Sequence, residues 1–299
     1  MADRGWLSPH PGQSGKPGLH CGGSANRYFE VSTLSQHAAR FTGSIPENYD
    51  LYLGPRIFVG FAEDLARRVL ELQPDKVLEL AAGTGILTRR LRDVLPAACT
   101  ITATDLNPPM LEISRGKFQG NEGVEFKAAD AMHLPFIESD FDVATSQFGV
   151  MFFPDKQRSY EEVFRTLRAG GHYIFNVWGP MDSNPFAKIA HETVASFYPE
   201  DPPGFYKVPF GYNDPVSIEN SLNEAGFSGI EIEKVEISSS IPSASDFARG
   251  LVYGNPLHEE IILRGGQPDS LCSAIAAALE QHLGEVMPLQ AFVIVARKP

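Results

Sequence analysis

The chain has 299 residues, 43% of them hydrophobic, and carries a formal net charge of -12 from 37 acidic and 25 basic side chains. That apolar share excludes a disordered chain, and the length allows one full-sized core with a subdomain beside it. The acidic balance repels phosphate backbones and anionic membranes, so no nucleic-acid partner is expected; alternatively, it does no more than keep a cytoplasmic protein in solution.

Residues 1–26 are rich in Gly, Pro, Ser and His and have no hydrophobic face, which reads as a flexible leader rather than a signal peptide. From Ile57 a helical pattern starts, with Ile57, Phe58, Phe61, Leu65 and Val69 on one face. Strands and helices then alternate. The strand candidates are 76–80, 100–104, 124–127, 141–146 and 172–178. Between them Leu87, Leu91 and Leu95 form an i, i+4 stripe, and Asn107 before Pro108 reads as an N-cap. Tyr160, Val163, Phe164 and Leu167 make a further apolar face that Gly170-Gly171 should close. A helix from Asp214-Pro215 to Gly226 and strands at 230–237 and 291–297 follow. Repeated strand–helix–strand units predict an α/β fold, a doubly wound, seven-stranded, mostly parallel sheet, with an inserted helical cap.

No apolar run approaches the roughly 20 residues of a membrane-spanning helix, so no membrane span is expected and a cytoplasmic location fits best. Cys21, Cys99 and Cys272 are far apart and form no metal-ligand or disulfide pattern, and no metal is expected.

The chemistry gathers at the strand ends. The first strand runs through Glu79 into Ala81-Ala82-Gly83-Thr84-Gly85, where glycines let a ligand lie against the backbone. Thr88 stands where the dinucleotide fingerprint has its third glycine, and Glu79 would repel a pyrophosphate but welcome an ammonium group. The second strand ends in Asp105, placed to take both hydroxyls of a ribose; the third in Asp130, able to accept from an exocyclic amine; the fourth in Gln147-Phe148-Gly149. Three carboxylates and a Gly-rich turn at successive strand ends describe a nucleoside bearing a positive charge.

The segments 79–85, 105–111 and 130–136 resemble the successive motifs of class I S-adenosylmethionine-dependent methyltransferases, and most nearly the type 11 group, which includes the ubiquinone/menaquinone-biosynthesis C-methyltransferases. The resemblance covers 41–178 well and the C-terminal third in outline. It implies S-adenosylmethionine as cofactor, with Ala81, Gly83, Thr84 and Gly85 around the methionine part and Glu79 near its amino group. Asp105 would hold the ribose, Leu106 and Met110 the adenine or ribose, and Asp130 the adenine amine beside Ala131 and Met132. Gln147 and Phe148 would lie beneath the reactive methyl. Ala82 stands where the family often has aspartate or glycine, a mild departure. Tyr49 or Tyr52, in the segment relatives fold over the cofactor, could contact the methionine end or simply anchor the first helix. His133 and His191 are read as variable loop and lid residues, and no catalytic residue is assigned.

The resemblance implies direct in-line displacement of a methyl group onto an acceptor nitrogen, oxygen or carbon. The organisation reads as a leader (1–26), a cofactor-binding core with an N-terminal cover (27–180), a lid insertion (181–213) and a last section (214–299) with a second insertion (238–288). Phe186, Phe197, Tyr198, Phe205, Tyr206, Phe210, Tyr212, Phe247, Leu251 and Tyr253 stock the insertions. They either pack the cap or line an apolar pocket, which favours a small, partly apolar acceptor as partner. A non-catalytic cofactor-binding protein keeps the same residues, and an NAD-dependent oxidoreductase shares the fold.

Overall fold

The structure is a computed structural model that describes residues 38–299; the leader at 1–26 lies outside the described residues. The strands β1 (Lys76–Glu79), β2 (Thr100–Asp105), β3 (Val124–Ala128), β4 (Phe141–Gln147), β5 (Leu167–Trp178), β6 (Ser228–Ser240) and β7 (Val286–Arg297) form one sheet in the order β3-β2-β1-β4-β5-β7-β6. The first five pair in parallel, and β7 runs antiparallel to both β5 and β6. This is the doubly wound, mostly parallel architecture. The strand order reverses between β1 and β4, which opens a crevice at their carboxyl ends.

Strand parity divides the core. Val77, Val143 and Ile174 face a layer made by α2 (Val59–Glu71) and α3 (Ile86–Val94), through Leu65, Val69, Leu87 and Leu91. Their neighbours Leu78, Ala144 and Phe175 face the other way, towards α5 (Lys156–Thr166) and the cap. Side chains that alternate across a sheet buried on both faces give the near-continuous apolar runs of β1 and β4.

Four helices follow from insertions and the final section: α6 (Pro185–Phe197), α7 (Pro215–Glu224), α8 (Ala244–Tyr253) and α9 (Leu257–Leu263), with α10 (Pro268–His282) leading back to the sheet. Asp214 caps α7 through the backbone N–H groups of Val216 and Ser217. Helices α8–α10 occupy 244–282, whereas the outer ends of the insertion drawn at 238–288 belong to the sheet: Ser238 pairs with Pro288 and Ser240 with Val286. Upstream, α1 (Ile45–Asn48) runs into a ten-residue π-helical segment, Tyr49–Phe58, with Pro55 inside it, before α2. Among chain features, π-turns are rare and concentrate at functional sites.

Two sequence expectations are corrected. Helix α5 is not closed by Gly170-Gly171: it stops at Leu167, which turns extended at ψ 142°, and the glycines lie inside β5. Gly170 has φ +79°, and a Cβ on Gly171 would sit 2.9 Å from the Asp142 carbonyl oxygen, where β4 and β5 shift register. The pair serves an irregular strand, not a helix end. Asn107 precedes α4 (Pro108–Arg115) but makes no side-chain cap. Its carboxamide instead accepts from the Phe41 amide at 3.3 Å and donates to the Ala39 carbonyl at 3.1 Å, which ties the entering chain to the end of β2.

Candidate functional site

The crevice floor is built where β1 and β4 end. Ala81 has φ +50° and Phe148 φ +51°, a conformation that costs a residue with a Cβ about 1–3 kcal/mol. The two strained turns abut: a Cβ on Gly149 would lie 2.5 Å from Ala81 Cβ. The Phe148 amide donates to Asn176 Oδ1 at 2.9 Å, and its ring stacks on Trp178 with centroids 3.9 Å apart. Packing behind the site therefore holds a backbone that isolated turns would not keep.

Asp105 closes β2 and is buried. Its Oδ2 accepts the Gly83 N–H at 2.9 Å and its Oδ1 the Asn107 N–H at 2.8 Å, so it fixes the glycine turn. Burial holds this carboxyl above its ordinary value, against the pull of those N–H donors. Asp130 is half-exposed at the opposite end, with Oδ1 accepting the Met132 N–H at 2.9 Å.

These walls enclose a crevice of about 500 Å³. Among the expected site residues, Ala81, Gly83, Asp105, Leu106, Met110, Asp130, Ala131, Met132, Gln147 and Phe148 line it. Glu79, Thr84 and Gly85 do not. Glu79 is buried beneath the turn, 1% exposed, with Oε2 unpartnered among the described residues, and burial pushes it up to about 8. Gly85 faces α4: a Cβ there would lie 2.1 Å from Ser114 Oγ, so this glycine permits helix contact rather than ligand approach. Gly83 is the one turned to the crevice, with only Met110 Cε within reach of an added Cβ, at 3.4 Å.

Of the two tyrosines, Tyr49 lines the crevice, while Tyr52 packs towards α8 beneath Arg249. Tyr49 stacks on Phe58 at 4.8 Å, and burial, with Asp105 and Asp50 nearby, keeps its phenol protonated. Gln147 lines the crevice and also donates through Nε2 to the Phe58 carbonyl at 2.7 Å, fastening the end of the π-helical segment. His133 is 75% exposed, 3.6 Å from Asp130, and neither it nor His191 lines the crevice.

An inner chamber of about 70 Å³ adjoins the crevice, and of the insertion residues expected either to pack the cap or to line a pocket, Phe186, Phe205, Tyr206, Phe210 and Leu251 line it. Phe41, Tyr49, Phe148 and Phe152 border both spaces. Beyond them the wall includes Phe58, Trp178, Phe186, Phe205, Phe210 and Asn255. Phe152 and Trp178 carried only a weak signal, an aromatic run after one strand and an aromatic ending the next. Among the described residues, no group of three His, Cys, Asp or Glu side chains could hold a metal ion.

Residues 45–192 match the model of the ubiE/COQ5 methyltransferase family. The demethylmenaquinone methyltransferase of Thermus thermophilus is 36% identical over 129 residues, 43% of this chain and 57% of that protein. The ubiquinone/menaquinone biosynthesis C-methyltransferase UbiE of Ectopseudomonas mendocina is 29% identical over 201 residues, 64% of this chain and 76% of that protein. For Thermus thermophilus and Thermotoga maritima the match thus spans 57% and 60% of the relative's length. Among solved structures, phosphoethanolamine N-methyltransferase 2 of Haemonchus contortus superposes with a TM-score of 0.58 at 16% identity, over 89% of this chain and 60% of that one. The YcgJ protein of Bacillus subtilis gives 0.53 at 18% identity, over 80% and 98%. These likenesses establish the fold.

Proposed function

We propose, for a chain with the class I methyltransferase fold that is related through residues 45–192 to the ubiE/COQ5 methyltransferases, that it moves a methyl group from S-adenosylmethionine to a small, partly apolar acceptor. The observation that carries this reading is the continuity of a carboxylate-edged crevice with an aromatic chamber through shared residues. The residues fit the cofactor. The Gly83 backbone leaves a cradle that a Cβ would narrow, Asp105 keeps lone pairs for ribose hydroxyls, and Asp130 stands at the far end for an amine. A volume of about 500 Å³ lies within the range usual for small-molecule sites.

When bound, the cofactor supplies an electrophilic methyl on a sulfonium. The chain supplies placement and exclusion of water. Phe41, Tyr49, Phe148 and Phe152 border both spaces, so the apolar end of an acceptor that enters the chamber would face a donor in the crevice. Orientation of this kind is worth about 7–11 kcal/mol of barrier, which leaves little need for a general base. Phe186, Phe205 and Phe210 of the lid and Leu251 and Asn255 of the second insertion form the outer wall, so substrate choice resides in the insertions. Asn255 is already engaged with the Leu251 carbonyl and the Leu257 amide, which leaves the chamber mostly apolar. An NAD-dependent oxidoreductase fits poorly, because buried Thr88 stands where the dinucleotide fingerprint needs its third glycine.

No helix among the described residues is long and apolar enough to cross a membrane, and a small-molecule acceptor met in the cytoplasm accords with this reading. Calorimetry should give saturable binding of S-adenosylmethionine and S-adenosylhomocysteine without comparable binding of NAD. Turnover of labelled S-adenosylmethionine against pooled metabolites should then reveal the acceptor. Tight NAD binding without S-adenosylmethionine binding refutes the proposal.

A further inference from the structure

The chamber behind the crevice holds about 70 Å³, whereas a cavity of roughly 150 Å³ is what encloses a single benzene ring. A ring-sized acceptor therefore enters where a wall yields. Most of the wall is backed by regular structure. Trp178 ends β5 with Phe148 stacked on it, Phe58 ends the π-helical segment, and Phe186 and Leu251 stand on α6 and α8, which both pack on α10. The exception is the segment 201–210, which supplies Phe205, Tyr206 and Phe210. These buried rings alternate with exposed Asp201 and Lys207, so a single layer of chain parts the chamber from solvent. Its regular structure is one three-residue turn, Phe205–Lys207. Among the described residues its backbone N–H groups pair with carbonyls of the segment itself, Lys207 with Gly204, Val208 with Phe205 and Phe210 with Tyr206.

Polar ties hold this segment to the cap. The Gly204 N–H donates to Glu260 Oε2 at 2.6 Å, while Arg264 Nε donates to the Asp201 carbonyl at 2.8 Å and pairs with its carboxylate at 2.9 Å. Further in, the Tyr206 hydroxyl donates to the Leu251 carbonyl at 3.1 Å. Burial holds the Glu260 carboxyl above its ordinary value, against the pull of the Gly204 N–H and Arg264, so release of the segment returns that carboxylate to water. We infer that 201–210 is the gate of the chamber and that Glu260 and Arg264 latch it: the acceptor enters from the outer side, past this segment, while the cofactor stays in the crevice. The inference rests on the reading of the crevice as the cofactor site and of the chamber as the acceptor's. Opening uncovers Phe205 and Tyr206, which keeps the closed form dominant, and an apolar acceptor restores the lost burial once inside.

Trp178, 3% exposed on the chamber wall, reports entry, and Trp6→Phe removes the other tryptophan. The probe is TEMPO, a neutral, ring-sized nitroxide that quenches tryptophan on contact, added to the full chain with the crevice filled by S-adenosylhomocysteine. Quenching of Trp178 should rise by about 3- to 10-fold in Glu260→Ala and in Arg264→Ala, each of which loses a charged tie. Glu260→Gln keeps an acceptor for the Gly204 N–H and should stay near wild type. Hydrogen exchange should quicken in 201–210 while α8 and α10 keep their rates. Affinity for S-adenosylhomocysteine should stay within about twofold, since neither latch residue lines the crevice. Quenching that S-adenosylhomocysteine abolishes, or that the latch variants leave unchanged, overturns the gate and leaves the cofactor reading intact, as does faster exchange throughout the cap. A chain that fails to bind S-adenosylhomocysteine overturns the cofactor reading, and the response of quenching to the latch variants still decides the gate.

Discussion

Asp105→Ala separates binding from architecture, because the buried carboxylate that fixes the Gly83 turn is also the one proposed to hold the ribose. In the folded chain it accepts the Gly83 and Asn107 amides at 2.9 and 2.8 Å. Its loss strands two donors, each costing about 1–3 kcal/mol when no partner replaces the acceptor. Water in the crevice reaches part of this surface, and the variant is freed of the burial that holds Asp105 above its ordinary value, so the net loss should sit near 2 kcal/mol. For a chain of this size that lowers the melting temperature by about 4–8 °C. On the proposed reading, binding loses the ribose hydroxyls as well. At about 1.5–3 kcal/mol for charge-assisted bonds, S-adenosylhomocysteine should bind 10- to 100-fold more weakly, roughly a decade per 1.4 kcal/mol. Asp130→Ala should cost less, as its half-exposed carboxylate loses one bond that water can replace, and His133→Ala, 75% exposed, should change little. Calorimetric titration beside scanning calorimetry reads both quantities. An Asp105→Ala chain that melts lower but binds as tightly as wild type would make the carboxylate a brace for the Gly83 turn and nothing more.

Burial pushes Glu79 up to about 8, so between the ordinary carboxylate value and pH 8 the folded chain holds a proton that the unfolded chain has lost. Stability therefore falls as pH rises through that window, and Glu79→Gln, which carries no such proton, should gain on wild type by up to about 1.4 kcal/mol per unit; parallel melting profiles from pH 5 to 8 would count against the buried acid. Gly85→Ala combines φ +80° with a Cβ 2.1 Å from Ser114 Oγ and should cost about 2–5 kcal/mol, whereas Gly83→Ala meets only Met110 Cε and should lose cofactor affinity first. Equal melting of Gly85→Ala and wild type would refute the packing role.

Strand positions and the crevice edges were legible because short apolar runs and the acids at their ends are local signals. Facing was not. In a sheet buried on both sides, the pattern gives no parity to say that Glu79 lies under the turn while Ala81 fronts the crevice. The turn residues show the same limit: Gly83 and Gly85 look alike in sequence, and only the position of Ser114 on α4 tells them apart. Asn107 and Gly170-Gly171 were misread for one reason, since their local meaning as cap and stop was overridden by partners far along the chain, Phe41 for one and Asp142 for the other. Tyr49 and Tyr52 could not be separated because the π-helical turn between them breaks the 3.6-residue phase from which a face would be assigned.

The chamber and the crevice are one device because they share Phe148. Its backbone, at φ +51°, shapes the crevice floor, and its ring is a wall of the chamber, clamped between Trp178 at 3.9 Å and Phe61 at 5.3 Å. Trp178 extends that stack outward to Phe210 at 5.6 Å, a residue of the lid insertion. If the proposed acceptor site is correct, pressure on Phe210 should pass through Trp178 and the Phe148 ring to the strained turn at the crevice floor, because packed interiors have no slack to absorb such shifts. On the proposed reading, fit in the chamber and alignment in the crevice are set together, so an acceptor that leaves the chamber unfilled should lose turnover as well as affinity.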